Sequence, residues 1–140
     1  MKYYEASATI NATPDRIWEV LRDASGLSEW DSGVERIEGT IAHGEKIKVY
    51  SDANPGRGFA VKVVEFEPGR RMVRKRGMPL GLFTGERTYT LSATDGGTEF
   101  HMREEYTGPM LGMIWKSMPD MQPSFDQFAA GLKAKAEGGS

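Results

Sequence analysis

The residues best placed to do chemistry in this chain are Arg87 and Glu104, with Tyr89 and Tyr106 beside them. Residues 83–94 and 98–107 alternate apolar and polar side chains and are joined across Asp95-Gly96-Gly97, and Asp-Gly between two such runs is a strong hairpin signal. A turn centred there pairs Leu91 with Phe100, Tyr89 with Met102, Arg87 with Glu104 and Gly85 with Tyr106. Side chains alternate faces along a strand, so Tyr89, Leu91, Phe100, Met102 and Tyr106 share one face with Arg87 and Glu104. The other face carries Glu86, Thr88, Thr90, Glu99, His101, Arg103 and Glu105 and reads as solvated. An Arg–Glu pair on an apolar face has three physical readings. It can orient a polar ligand or act on a carbonyl or enol, with Arg87 holding an enolate and Glu104 or a tyrosine moving the proton. It can be a half-wet cross-strand pair worth roughly a few tenths of a kcal/mol. It can be a buried pair whose desolvation is tolerated for specificity or function.

Other candidate chemistry is thin. The chain has no cysteine and two histidines, His43 in a turn and His101 on the solvated face. That excludes disulfides, a thiol nucleophile and thiolate metal sites, and it leaves the usual metal and Ser-His-Asp constellations without ligands or a base. No HExxH, P-loop, GxGxxG or GxSxG is present. The sequence therefore predicts no cofactor; an enzyme built on it works by orientation, cavity electrostatics and a carboxylate or tyrosine. Arg70, Arg71, Arg74, Lys75 and Arg76 form a basic run. A net charge of −2 and the lack of a stacking aromatic in the run argue against nucleic acid. Parity places Met72, Arg74 and Arg76 on one face and Arg71, Val73 and Lys75 on the other. Neither face is cleanly apolar, and Arg74 or Lys75 can meet an anionic ligand.

The elements that position these residues follow from pattern. Residues 4–11 alternate as a half-buried strand. Thr13 is an N-cap, Pro14 occupies the first helical position and Asp15 the first turn of a helix whose apolar face is Ile17, Val20 and Leu21. Residues 27–30 read as a second short helical piece, and 34–39, 47–50, 57–66 and 71–77 as strands. In the C-terminal segment Leu111, Ile114, Met118, Met121, Phe125, Phe128 and Leu132 recur at spacings of three and four, one apolar stripe on a helix. Pro119 and Pro123 should kink or break it, leaving 124–137 as the well-formed helix. Met78, Met102, Met110, Met113, Met118 and Met121 make the second half soft-walled, suited to an irregular core or a deformable cavity. The stretches 77–82 and 108–112 can act as flaps at a cavity mouth.

Ile10, Ala12, Pro14, Ile17-Trp18, Leu21, Asp23, Trp30, Val34, Gly44, Glu67-Pro68, Arg71, Gly97-Thr98 and the C-terminal helix together resemble the SRPBCC superfamily, the START and Bet v 1-like helix-grip proteins that include aromatic polyketide cyclases. Many relatives carry Asn-Pro after the second of these tryptophans, where this chain has Asp31-Ser32. The resemblance implies an α+β fold: a curved antiparallel sheet of six to seven strands gripping a long C-terminal helix, two short helices after the first strand, and an internal cavity. Residues 1–137 are expected to form one domain and 138–140 a tail.

The resemblance implies a hydrophobic small-molecule ligand, such as a lipid, polyketide or other natural product, held between sheet and helix. The candidate ligand-contacting residues are Trp30, Phe83, Arg87, Tyr89, Leu91, Phe100, Met102, Glu104, Tyr106, Met118, Met121 and Phe125. Arg87, Glu104, Tyr89 and Tyr106 are the candidates for catalysis should the cavity cyclise a poly-β-ketone. Resistance to an enediyne-type natural product by sequestration or self-sacrifice, and a protein-interaction role like that of Hsp90 ATPase activators or ribosome-associated toxins, are the further alternatives. No signal-peptide pattern or run of about 20 apolar residues occurs, so a cytoplasmic monomer or weak homodimer without membrane insertion is expected.

Overall fold

The computed structural model describes residues 1–52 and 56–138. Seven antiparallel strands form one sheet: β1 (Lys2–Ile10), β2 (Val34–Glu38), β3 (Lys46–Ser51), β4 (Gly58–Glu67), β5 (Arg71–Gly77), β6 (Thr84–Thr94) and β7 (Gly97–Thr107). Their order is β1-β7-β6-β5-β4-β3-β2. Strands β2 to β7 thus meander, each beside its predecessor, and β1 returns to the free edge of β7. The helices are α1 (Pro14–Arg22), α2 (Leu111–Ser117) and α3 (Gln122–Ala136), with short 3-10 turns at Leu27–Glu29 and Pro79–Gly81. The result is a curled half-barrel sheet with the C-terminal helix across its concave face, an α+β helix-grip arrangement.

Local chemistry explains the main boundaries. The Thr13 hydroxyl accepts the Arg16 N–H at 3.2 Å and Pro14 opens α1, as the sequence suggests. Fully buried Thr98 donates its hydroxyl to the Ala12 carbonyl at 2.8 Å, tying the β6–β7 hairpin to the β1–α1 corner. The hairpin register is the one read from Asp95-Gly96: Leu91 faces Phe100, Tyr89 faces Met102, Arg87 faces Glu104 and Gly85 faces Tyr106. Its turn is tighter than expected, since Gly97 already pairs with Thr94. Register shifts between Val34 and Arg36 in β2, and between Val63 and Glu65 in β4, bend the sheet.

The C-terminal stripe is divided. Helix α2 ends at Ser117, and the chain is extended at Met118 before Pro119, whose ring disfavours helix in the residue before it. Pro123 does not interrupt anything: it sits in the first turn of α3, where its missing N–H is not needed. Helix α3 therefore spans Gln122–Ala136 where the prolines suggest residues 124–137. Of the tail expected at 138–140, Gly139 and Ser140 lie outside the described residues.

The core lies between α1, α3 and the sheet. Phe125, Phe128, Ala129, Leu132 and Ala136 of α3 are buried with Ile10, Ile17, Leu91, Phe100 and Met102. Gly131 lets α3 approach the Trp30–Asp31 segment, because a Cβ there would run into the Asp31 carbonyl oxygen and crowd the Trp30 ring. Trp30 itself packs on Phe128 with ring centroids 5.3 Å apart. Gly131→Ala should destabilise the protein by about 1–3 kcal/mol, the usual cost of overpacking a rigid contact. Urea unfolding measures it, and a neutral result would mean that α3 shifts without cost.

Candidate functional site

The inner faces of β3 to β7 wall one side of a cavity of about 650 Å³, and Ile114, Met118, Met121, Phe125 and Phe128 wall the other. The break between α2 and α3 leaves this space, since no helix covers the sheet between Ser117 and Gln122. Val49, Phe59, Val61, Met72 and Met102 keep most of the wall apolar.

Within it sits one polar cluster. Glu104, 2% exposed, is held from both sides: Arg87 Nε donates to Oε1 at 2.6 Å and Arg76 Nε donates to Oε2 at 3.0 Å. Gly85 makes room for this carboxylate, because a Cβ there would lie 2.7 Å from Glu104 Oε2. The Arg87 guanidinium lies 4.7 Å from the Phe125 ring centroid and that of Arg76 lies 5.3 Å from Phe59, so the cations rest on aromatic faces. On the same wall Arg74 Nη2 donates to the Tyr89 hydroxyl oxygen at 2.6 Å.

These contacts set the protonation states. Burial alone would raise the Glu104 pKa, but Arg87 and then Arg76 outweigh it and hold the carboxyl below its usual range. Burial likewise opposes charge on Arg87, and Glu104 more than reverses that, raising its pKa. Burial, then the nearby Glu104 charge, pushes the Tyr106 hydroxyl up to about 12. At neutral pH Glu104 is ionised and Tyr106 is protonated. Both oxygens of Glu104 are committed to arginines, so it is an anchor for the guanidinium groups and a poor proton carrier.

The twelve residues singled out from the sequence fall into three groups. Phe83, Arg87, Tyr89, Met102, Glu104, Met118, Met121 and Phe125 line the cavity. Leu91, Phe100 and Tyr106 are on the expected face, yet do not line it. Leu91 and Phe100 are covered in the main core, with Phe100 against Phe128. Tyr106 is fully buried, stacked on Phe83 and packed against Tyr4 and Trp115. The Tyr106 hydroxyl faces Arg76 without a well-formed hydrogen bond. Trp30 borders a second, more open groove of about 750 Å³ beside α1. That groove is rimmed by solvated charges such as Arg16, Glu19, Arg22 and Asp23 and contains no buried charge cluster, so its larger volume does not make it the better site.

Arg74 and Arg76 are the residues that pairing arguments from sequence leave unassigned. The β5–β6 register settles them: Met72 opposes Tyr89, Arg74 opposes Arg87 and Arg76 opposes Gly85, so all three point into the cavity. Arg71 and Lys75 point outward and pair with Glu65 at 3.1 Å and Glu86 at 3.3 Å. The strand Met72-Val73-Arg74-Lys75-Arg76 carried no signal for this choice, since Met72 on one face and Val73 on the other are both buried. On the opposite face of the hairpin His101 Nε2 lies 2.9 Å from Glu5, away from the cavity.

A curled sheet closed over a cavity by a C-terminal helix defines a helix-grip protein. The family model described as "Polyketide cyclase / dehydrase and lipid transport" matches residues 1–137, and the chain belongs to that family. Among curated proteins no sequence match is found. Solved structures share the fold at low identity. The Aha1 dimer of Colwellia psychrerythraea is 20% identical with a TM-score of 0.76, covering 100% of this chain and 99% of that one. A hypothetical protein of Helicobacter pylori is 15% identical with a TM-score of 0.77, over 96% and 88% of the two chains. A protein of Mesorhizobium loti is 16% identical with a TM-score of 0.72, over 94% of each. Among the described residues no helix is long and apolar enough to cross a membrane.

Replacing Glu104 by Gln leaves the half-buried Arg87 and Arg76 without their counter-ion, and should cost about 3 kcal/mol of stability at pH 7, the low end for breaking a buried pair. Because the folded pKa of Glu104 lies below its ordinary value of 4.5, its contribution is complete above that pH and is lost as pH falls through the folded value. Urea unfolding across the acid range should therefore show a steeper loss in the wild type than in Glu104→Gln. Equal slopes would mean that the carboxylate is not held ionised by the arginines.

Proposed function

We propose that this protein binds a hydrophobic small molecule, of the lipid, polyketide or natural-product class, in the cavity between the sheet and the α2–α3 segment. The observation that carries this reading is the cavity itself: about 650 Å³, its apolar lining drawn mostly from Met, Phe and Val side chains, and within the usual size range of small-molecule sites. The family description, which names lipid transport beside cyclase and dehydrase activity, supports it. Binding without turnover also fits the state of the polar wall. Glu104 is neutralised by two arginines, and Tyr106, with its pKa raised, is buried away from the cavity. Neither is poised near neutral pH to exchange a proton with a ligand.

Aldol cyclisation of a poly-β-ketone is the second reading. It draws on the family description and on Tyr89, whose hydroxyl lies on the cavity wall beside Arg74 and Arg87.

Native mass spectrometry of protein purified from its own host, followed by denaturing extraction, tests the first reading. A hydrophobic molecule at near-unit stoichiometry is expected, and Val49→Trp, which fills the cavity from β3, should purify without it. An empty wild-type protein under gentle conditions would count against stable binding. Conversion of the extracted molecule on incubation with fresh wild-type protein would move the assignment to the cyclase reading.

A further inference from the structure

Four arginines, Arg57, Arg74, Arg76 and Arg87, line the cavity against a single carboxylate, Glu104. That carboxylate is fully used, one oxygen by Arg87 and the other by Arg76. Arg74 stands apart from the pairing. It is 9% exposed, it opposes Arg87 across the β5–β6 ladder, and it shares its face with Arg76. Burial is the main cause that lowers its pKa; Arg87 and Arg76 add like charge, while Tyr89 and the more distant Glu104 oppose them only in part.

Among the described residues the hydrogen-bond partner of Arg74 is the Tyr89 hydroxyl, and its Nε makes no hydrogen bond. In that bond the tyrosine oxygen accepts, so the hydroxyl hydrogen is left to be donated, and no described side chain takes it up. A buried guanidinium without a counter-ion beside an unspent hydroxyl donor is an unfavourable arrangement unless something else brings the negative charge. The surrounding wall is apolar, with Met72, Met102, Phe125 and Phe128.

We propose that Arg74 and the Tyr89 hydroxyl form an oxyanion subsite in the cavity wall, and that the ligand is an amphiphile with one ionised oxygen group, such as a carboxylate or enolate. Its apolar body lies along Met72, Met102, Phe125 and Phe128. The inference rests on the reading of the cavity as a hydrophobic-ligand site and deepens it. A guanidinium edge and an adjacent O–H converge on a small oxyanion as donors, and the pair is strong where water is excluded. The exposed Arg57, also on the lining, adds positive potential that draws an anion toward the opening.

Two fluorescent probes with the same aromatic body test this directly: anilinonaphthalene sulfonate, which is anionic, and phenylnaphthylamine, which is neutral. Wild-type protein should bind the anionic probe about tenfold more tightly than the neutral one, as expected for one charge-assisted contact in a dry site. Arg74→Met should remove most of that preference by weakening the anionic probe and not the neutral one, which should bind at least as tightly, and Arg74→Lys should keep much of it. Lys75→Met, on the outer face of the same strand, should change neither. Equal binding of the two probes by the wild type, or a preference that survives Arg74→Met, would overturn the subsite while leaving the hydrophobic cavity intact. Should Arg74→Met fail to fold, the wild-type ratio and its reduction in Tyr89→Phe decide the matter. Failure of both probes to bind the wild type would overturn the cavity reading and this inference with it.

Discussion

The buried carboxylate of Glu104 is the constraint around which the concave wall is arranged. Three arginines from two neighbouring strands, Arg74, Arg76 and Arg87, face inward on the same side of the sheet, and Arg74 and Arg87 are directly opposed. Like charges so placed repel and destabilise a sheet. Glu104, on the next strand over, takes a hydrogen bond from each of the two arginines that flank it and turns part of that repulsion into attraction. The arrangement is helped by a glycine near the start of β6 at Gly85, where a side chain would press on the carboxylate. A glycine in a strand interior weakens it; here the lost packing is offset by the ion cluster the gap admits.

Cavity and cluster depend on each other through the helices. An unbroken helix from Leu111 to Ala136 would lay its stripe flat on the sheet and fill the space with Met118, Met121 and Phe125. The extended Met118 before Pro119 prevents that. One end of the sheet is instead sealed by Tyr4, Phe83, Tyr106 and Trp115, and the other by Trp30, Phe100 and Phe128. Aromatic plugs of this kind bury large areas at both ends. What lies between them is left unfilled, and it is there that the arginines point. Methionine is the common residue of the surrounding wall on both the sheet and helix sides, which suits an occupant of irregular shape.

The fold was largely legible from the amino-acid sequence where a local device sets geometry. Thr13-Pro14 caps a helix wherever it stands, and Asp95-Gly96 sets a hairpin register that carries Arg87 to Glu104. The site was legible only as far as that register reached. Arg74 and Arg76 depend on the β5–β6 pairing, whose connection runs through Pro79, Leu80 at φ 61° and Gly81. A leucine in the left-handed region announces no turn type in advance, so nothing local fixes which residues oppose which. Tyr106, Leu91 and Phe100 illustrate a different gap. Their face was right, but whether a residue on the inner face meets a cavity or a neighbour is decided by where α2 and α3 lie along the strands: Trp115 of α2 covers Tyr106, and Phe128 of α3 covers Phe100. Helix position is a tertiary matter: Gly131 against Asp31 sets it, and strand periodicity carries no trace of it.

The family description spans catalysis and lipid transport, and the electrostatics of the wall bear on which side of that division this chain falls. Proton transfer near neutral pH requires a group that changes charge easily there. Glu104 is displaced downward by its two arginines, and Tyr106 is displaced upward by burial and by Glu104. The interactions that stabilise the cluster thus withdraw Glu104 from acid–base work, because the two arginines that neutralise it also lower its basicity, while burial and the Glu104 charge withdraw Tyr106. A wall of this kind holds charge in place. Its unspent capacity is cationic, at Arg74, and a fixed cation in an apolar cavity contributes most by binding an anion or steadying one that forms there. On the binding reading proposed above the wall serves recognition, whereas the cyclase reading leaves Tyr89, beside Arg74, as the group that would act on a ligand.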